Sequence, residues 1–199
     1  MQRLPSVDEN SSPEISAVFA ELALSRGKVS NALRSMGHAP EALRRFAAVG
    51  DYARYHSSLS GRVREIVIVV TGRNVPYALA YHVQLALQAG VTQAEVDDLK
   101  AGKVPGTFGA IDAAVTRYVL EFTSPQSVSD GTFQAISAVM SPREITDVTM
   151  MSAYYVALAM TITALRVPLD PHDRLVAERE WQNKRDLEKS AAARQDQRS

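Results

Sequence analysis

The chain has 199 residues, 46% of them apolar, with 22 Lys and Arg against 22 Asp and Glu and no cysteine. That length buries enough surface for one domain, with tails at most, to stand without a disulfide or metal staple. The missing cysteine excludes thiol nucleophiles, Cys-ligated zinc, iron–sulfur clusters and redox disulfides.

Zero formal net charge argues against a nucleic-acid partner, because displacing counterions from phosphates needs a basic face. The opening residues MQRLPSVDENSSPE lack the apolar core of a secretory signal. No uninterrupted apolar run approaches the roughly 18 residues of a membrane span. The expectation is a cytoplasmic protein with no membrane partner.

Residues 1–12 read as an extended arm, and a helix begins at Pro13, where Ile15, Val18, Phe19, Leu22 and Ala23 form an apolar stripe that Gly27 ends. A segment from Val29 to Met36 leads through His38-Ala39-Pro40 into a helix carrying Leu43, Phe46 and Ala47. Ser60 opens the next helix, with Val63, Ile66, Val67 and Val70 on one side, up to Gly72. Pro76 tolerates a first helical turn and restarts the chain as Tyr77–Ala89, stopped by Gly90. Thr92 to Glu95 has capping-box spacing and opens a short helix to Ala101.

Further helices are expected from about Phe108 to Thr123 and from Ser129 to about Met140. Ser141-Pro142-Arg143-Glu144 then combines a cap, Pro at the first helical position and Glu at the third. The helix it opens, to about Leu165, is apolar nearly all round and is read as a buried central or subunit-contact helix. Pro168 and Pro171 break it. A charged helix from Asp173, anchored by Leu175, Val176 and Trp181, passes into a polar tail expected to be disordered. The one strand-like fragment, Arg64–Val70, lies within helical spacing on both sides, so the fold class is all-α. The domain division is 1–12 arm, 13–172 helical domain and 173–199 C-terminal helix and tail.

Without cysteine, proton chemistry falls to histidines and carboxylates. His82 lies on a stripe with Ala78, Leu85 and Ala89, so its imidazole points at apolar neighbours, a setting suited to a general base. The competing reading is a hydrogen-bonded core histidine. Glu65 shares a stripe with Ile68, Val69 and Gly72; a carboxylate there requires a partner, for which His82, Arg62 and Arg73 are candidates. A Glu–His pair from two antiparallel helices is a workable proton-transfer unit. An exposed Arg–Glu surface pair is the alternative. His38, His56 and His172 read as turn, helix-end and Pro-rich-exit residues. No histidine pair has the i, i+4 spacing of a helical zinc site and no glycine-rich phosphate loop occurs, so neither metal nor cofactor is expected. Tyr77, one turn from Tyr81 and close to His82, suggests a shared pocket wall.

The order of the pieces resembles the carboxymuconolactone decarboxylase family, which includes the alkyl hydroperoxidase D-like proteins, over roughly residues 3–170. The matching pieces are Arg26 to Asn31, His38 to Glu41, Gly50-Asp51-Tyr52 with Ser58-Leu59, and Arg62 to Ile68. Tyr77 to His82 with Leu85 to Gly90, Leu99 to Gly102, Val128 to Asp130, and Tyr154-Tyr155 through Val167 to Leu169 complete the order. The resemblance implies an all-helical, alkyl hydroperoxidase D-like subunit, assembled as a trimer or hexamer, with its pocket near the Glu65 and His82 helices. The peroxidase branch carries a Cys-x-x-Cys pair just before the histidine. Here that stretch is Tyr77-Ala78-Leu79-Ala80-Tyr81-His82, which rules out thiol peroxidase chemistry.

The resulting expectation is a cofactor-independent lyase or isomerase acting on a small lactone or aromatic-derived carboxylate. His82 moves the proton, Glu65 orients or shares it, Arg73 binds a substrate carboxylate, and Tyr77, Tyr81 and Tyr155 shape the wall. Two alternatives stand beside it: a biosynthetic cyclase or dehydratase using the same pocket, and a non-catalytic oligomeric binding protein. The last is favoured by Ala78 and Leu79 where many related sequences carry Glu and Trp.

Overall fold

The structure is a computed structural model that describes residues 2–125 and 127–196. Among the described residues it is helical throughout, with no strand: α1 (Pro13–Arg26), α2 (Asn31–Arg34), α3 (Pro40–Asp51), a π-helical turn (Tyr52–His56), α4 (Gly61–Thr71), α5 (Pro76–Gln88), α6 (Gln93–Lys100), α7 (Ala110–Phe122), α8 (Asp130–Ser137), α9 (Pro142–Leu165) and α10 (His172–Asp196). The all-α expectation holds, and so do the starts at Pro13, Pro40, Pro76 and Pro142. The chain divides into two compact units, residues 1–51 with 165–199 and residues 52–164, where a single helical domain over 13–172 was expected.

In the first unit, Ser12 Oγ accepts the Ile15 amide at 3.2 Å and caps α1. The stripe Ile15, Val18, Phe19 and Leu22 is buried with Val29, Leu33, Leu43 and Ala47, and Val7 of the N-terminal arm joins this core. Gly27 ends α1 at φ 74°, a conformation that favours glycine. The Trp181 ring packs 3.0 Å from where a Cβ there would sit, and its Nε1 donates to the Ser25 carbonyl at 3.2 Å. Leu175 and Trp181 thus anchor α10 as read from the sequence. The expected disordered tail is a correction: α10 runs on to Asp196, and residues 197–199 lie outside the described residues. Its 25 residues contain neither Gly nor Pro and are rich in Ala, Glu, Lys, Arg and Gln, so helix propensity carries the segment past its apolar anchor.

In the second unit α4 is the central helix: every residue from Val63 to Val70 is buried, including Arg64 and Glu65. Ser60 caps it through the Val63 amide, and α5 returns antiparallel after Gly72. A Cβ on Gly72 would come within 2.6 Å of the Ala78 Cβ, so this glycine sets the close approach of α4 and α5. The Thr92–Glu95 capping box forms with both of its bonds, at 3.3 and 2.8 Å. The Ser141–Glu144 box forms in the same way. Arg62 ties α4 to α6 and α7 through Glu95, Asp112 and the Gly90 carbonyl, and lies over the Phe108 ring.

α9 buries Ile145, Val148, Met151, Tyr154, Tyr155 and Ile162. It leaves Met150 46% and Met160 67% exposed, so it is buried on one face only. By length and composition α9 could cross a membrane, its best 18-residue window reaching a mean hydropathy of 1.5, because Ala and Thr are the main residues interrupting its large apolar side chains.

Candidate active site

α4 and α5 bring Glu65 and His82 together. Each lies on the face of its helix that meets the other, and the tight turn after Gly72 sets the register. Glu65 is 1% exposed and His82 6%, and His82 Nδ1 stands 2.8 Å from Glu65 Oε2. Both sequence candidates are therefore buried partners, and the reading of Glu65 as an exposed surface residue falls.

Glu65 is held from its other side by a residue the sequence reading did not single out. Arg64 Nε donates to Glu65 Oε1 at 3.1 Å, and Arg64 Nη1 donates to the Arg54 carbonyl at 3.3 Å. Arg64 is 3% exposed and Arg54 5%. Burial alone would push the Glu65 carboxyl up. The facing charge and hydrogen bond of His82, with the charges of Arg64 and Arg54, outweigh it and hold the group at about 2.

A carboxylate so held is an acceptor only. His82 Nδ1 therefore carries the proton of the shared hydrogen bond, which fixes the tautomer of the neutral ring. The other nitrogen, Nε2, has no hydrogen-bond partner among the described residues. That arrangement leaves one ring nitrogen for a ligand while the second is anchored to an anion that stabilises the imidazolium. It is the construction a general acid–base group needs.

The tyrosines read as a wall are buried, and one of them, Tyr155, packs against the pair. The Tyr155 ring meets the His82 ring edge-on, with centroids 5.4 Å apart, and Tyr154 meets Tyr155 in the same manner at 5.2 Å. Tyr77 and Tyr81 stack at 5.4 Å along α5.

Arg73 and Arg62 are not brought to the pair by any bond. Arg73 Nη1 donates to the Val70 carbonyl at 2.8 Å and to Thr123 Oγ1 at 3.1 Å, closing the end of α4 against α7. Arg62 pairs with Asp112 and Glu95. His38 Nε2 meets the Pro5 carbonyl at 3.0 Å, His56 ends the π-helical turn and His172 starts α10, as their turn and helix-end readings imply. No group of three or more His, Asp or Glu is placed to hold a metal among the described residues. A groove of about 430 Å³ on the first unit, lined by Phe19, Ala20, Ala23 and Arg34 among others, contains no buried acid–base pair.

Arg64 escaped the reading because an arginine beside a glutamate resembles a solvated surface pair. The signal that finds it is the apolar run on all sides of α4. A helix with no water-facing side from Val63 to Val70 buries its charged residues as well.

Residues 40–119 match the sequence profile of the carboxymuconolactone decarboxylase family. No curated protein matches the chain. Among solved structures, it is similar to an alkylhydroperoxidase D core protein, described as an uncharacterized peroxidase-related protein, from Ralstonia eutropha JMP134. The TM-score is 0.71 and the identity 16%, over 89% of this chain and 96% of that one. It is also similar to the debrominase Bmp8 in complex with 2,3,4-tribromopyrrole, with TM-score 0.70 and identity 12%, over 93% of this chain and all of that one. An uncharacterized peroxidase-related protein from Silicibacter sp. TM1040 matches with TM-score 0.69 and identity 17%, over 85% of this chain and 92% of that one. At these identities the likeness is one of fold, and the fold is alkyl hydroperoxidase D-like.

Proposed function

We propose, for a chain whose residues 40–119 belong to the carboxymuconolactone decarboxylase family, a cofactor-independent lyase or isomerase acting on a small lactone or aromatic-derived carboxylate. His82 carries the proton through Nε2, and Glu65 anchors Nδ1 and stabilises the charged ring. The observation that supports this reading most is the buried 2.8 Å Glu65–His82 contact with the second ring nitrogen left unengaged. A thiol peroxidase cycle is unavailable to a chain without cysteine.

In a decarboxylation, cleavage of the C–COO⁻ bond releases CO₂ and leaves an electron pair that a conjugated lactone or keto carbonyl takes up. The protonated His82 then gives Nε2–H to carbon, and water returns a proton to the ring. In an isomerisation the neutral ring removes a proton beside the carbonyl and returns it at the conjugated position. Either way the protein supplies one proton carrier and a fixed anion behind it. Tyr77, Tyr81 and Tyr155 favour a flat ring as substrate, and the debrominase of like fold is one seen with a pyrrole. Arg73 has no part in this proposal, since its guanidinium already closes α4 and reaches Thr123. The exposed Met150 and Met160 of α9 support a homo-oligomer, trimer or hexamer, in which neighbouring copies cover that helix.

The test is a His82→Ala variant assayed on a panel of lactone and aromatic carboxylates that the unaltered protein turns over. Turnover falls by about 10²–10⁴, the usual worth of a positioned acid or base, while circular dichroism stays native. Glu65→Gln acts in the same direction, and the two losses combine to less than their sum because the residues act as a unit. Full activity in folded His82→Ala protein would refute the proposal.

A further inference from the structure

The helix that leaves α3 changes register before α4 begins. In an α-helical ladder the Ser58 amide would reach back four residues to the Arg54 carbonyl. Here the Ser57 amide reaches back five residues, to the Tyr52 carbonyl at 2.9 Å, which is the π register. The Ser58 amide donates instead to Asp147 Oδ2, at 2.7 Å.

Asp147, on α9, is 3% exposed. It takes two further bonds at the same turn, from Ser58 Oγ to Oδ2 at 2.7 Å and from the Tyr52 hydroxyl to Oδ1 at 2.8 Å. One carboxylate thus grips the π turn at its first residue and just beyond its last. Because Asp147 has taken the amide that would otherwise satisfy it, the Arg54 carbonyl is left to accept Arg64 Nη1, and the same guanidinium holds Glu65 Oε1 through Nε.

We infer that Asp147 is a positioning residue for the Glu65–His82 pair: by withholding the Ser58 amide from the α-helical ladder it keeps the Arg54 carbonyl available to Arg64, which in turn fixes Glu65. The inference rests on the acid–base reading of that pair. Asp147 touches neither residue. Its action passes through two backbone groups and one guanidinium, all within residues 52–164. Without it, the Ser58 amide falls back onto the Arg54 carbonyl, Arg64 loses that anchor, and its hold on Glu65 Oε1 loosens.

The sign of the effect separates this chain of bonds from plain electrostatics. Removing a negative charge at Asp147 makes Glu65 easier to ionise by Coulomb's law alone, which lowers its titration. Loosening Arg64 makes it harder to ionise and raises it.

The experiment is a carboxyl ¹³C NMR titration of Glu65 in the full chain, comparing the unaltered protein with Asp147→Asn and Asp147→Ala. Asparagine keeps the shape and an acceptor oxygen for the Ser58 amide, and its NH₂ can donate to the Tyr52 hydroxyl, so it preserves the grip on the turn. Alanine, and the acceptor-free leucine of a third variant, Asp147→Leu, remove that grip. The Glu65 midpoint, held near 2 in the unaltered protein, rises by about one unit in Asp147→Ala, the size expected when a hydrogen bond to a charged group is weakened, and does not rise in Asp147→Asn. Glu95→Gln, which removes another buried carboxylate with its own arginine partner, leaves Glu65 where it was and so controls for general loosening.

Should Asp147→Ala fail to fold, the similarly sized Asp147→Leu decides alone. A folded Asp147→Ala or Asp147→Leu protein whose Glu65 midpoint is unmoved or lower overturns the inference. The titration needs no substrate, so its failure is separate from that of the enzymatic proposal, which the His82→Ala assay tests.

Discussion

Acid should weaken the protein in a window that Glu65 sets. Its folded carboxyl is held down at about 2, against 4.5 for an unperturbed glutamate. At about 1.4 kcal/mol per unit, the ionised group contributes on the order of 3 kcal/mol to folding. Being 1% exposed, it has little solvent to screen that contribution. A depressed folded value means the unfolded chain takes up the proton first. The contribution is therefore complete above 4.5 and drains away as pH falls toward 2. The perturbation that isolates it is Glu65→Gln, which leaves Arg64 and His82 facing a neutral amide at every pH.

Urea denaturation of both proteins, repeated from neutral pH down to about 2, gives the difference in stability at each step. Glu95, Glu121 and Glu144 are also held below their usual values by their hydrogen bonds. They titrate in both proteins and cancel in the difference. The gap should be fully open just above pH 4.5 and close between there and 2. A gap that stays constant, or widens, from 4.5 down to 2 would show that Glu65 does not carry a stabilising charge.

Gly72→Ala puts a methyl group 2.6 Å from the Ala78 Cβ at a φ of −90° that alanine tolerates, so its cost is packing and not backbone strain. It should lower stability by about 1–3 kcal/mol in thermal unfolding. Because α4 and α5 carry Glu65 and His82, turnover should fall in protein that is still folded. Sedimentation at micromolar concentration should show a trimer or hexamer, and a compact monomer would refute the proposal that other copies cover α9.

What the sequence made legible is what local spacing controls. Thr92 with Glu95, and Ser141 with Glu144, each put a donor and an acceptor within one turn, and each forms as read. Glu65 and His82 were legible one level higher, since two polar residues on the apolar faces of consecutive antiparallel helices have few places to go but toward each other. The tail after Trp181 was misread because its polarity argued for disorder while its propensity argued for helix, and propensity prevailed over a run free of Gly and Pro.

The π turn had no such signal. Whether the Ser58 amide bonds back along its own helix or out to Asp147 is decided by a competition between a local acceptor and one 89 residues along the chain, and nothing in Tyr52–His56 announces it. Once that amide goes to Asp147, the rest follows from the need to satisfy buried groups. The Arg54 carbonyl needs a donor, and Arg64 needs acceptors because α4 offers it no water. Glu65 needs a cation on the side His82 leaves open. Each demand answers the next. The anchoring of the acid–base pair is thus a consequence of backbone accounting at a distance, and for that reason Asp147, which no helical periodicity links to His82, should move the titration of Glu65.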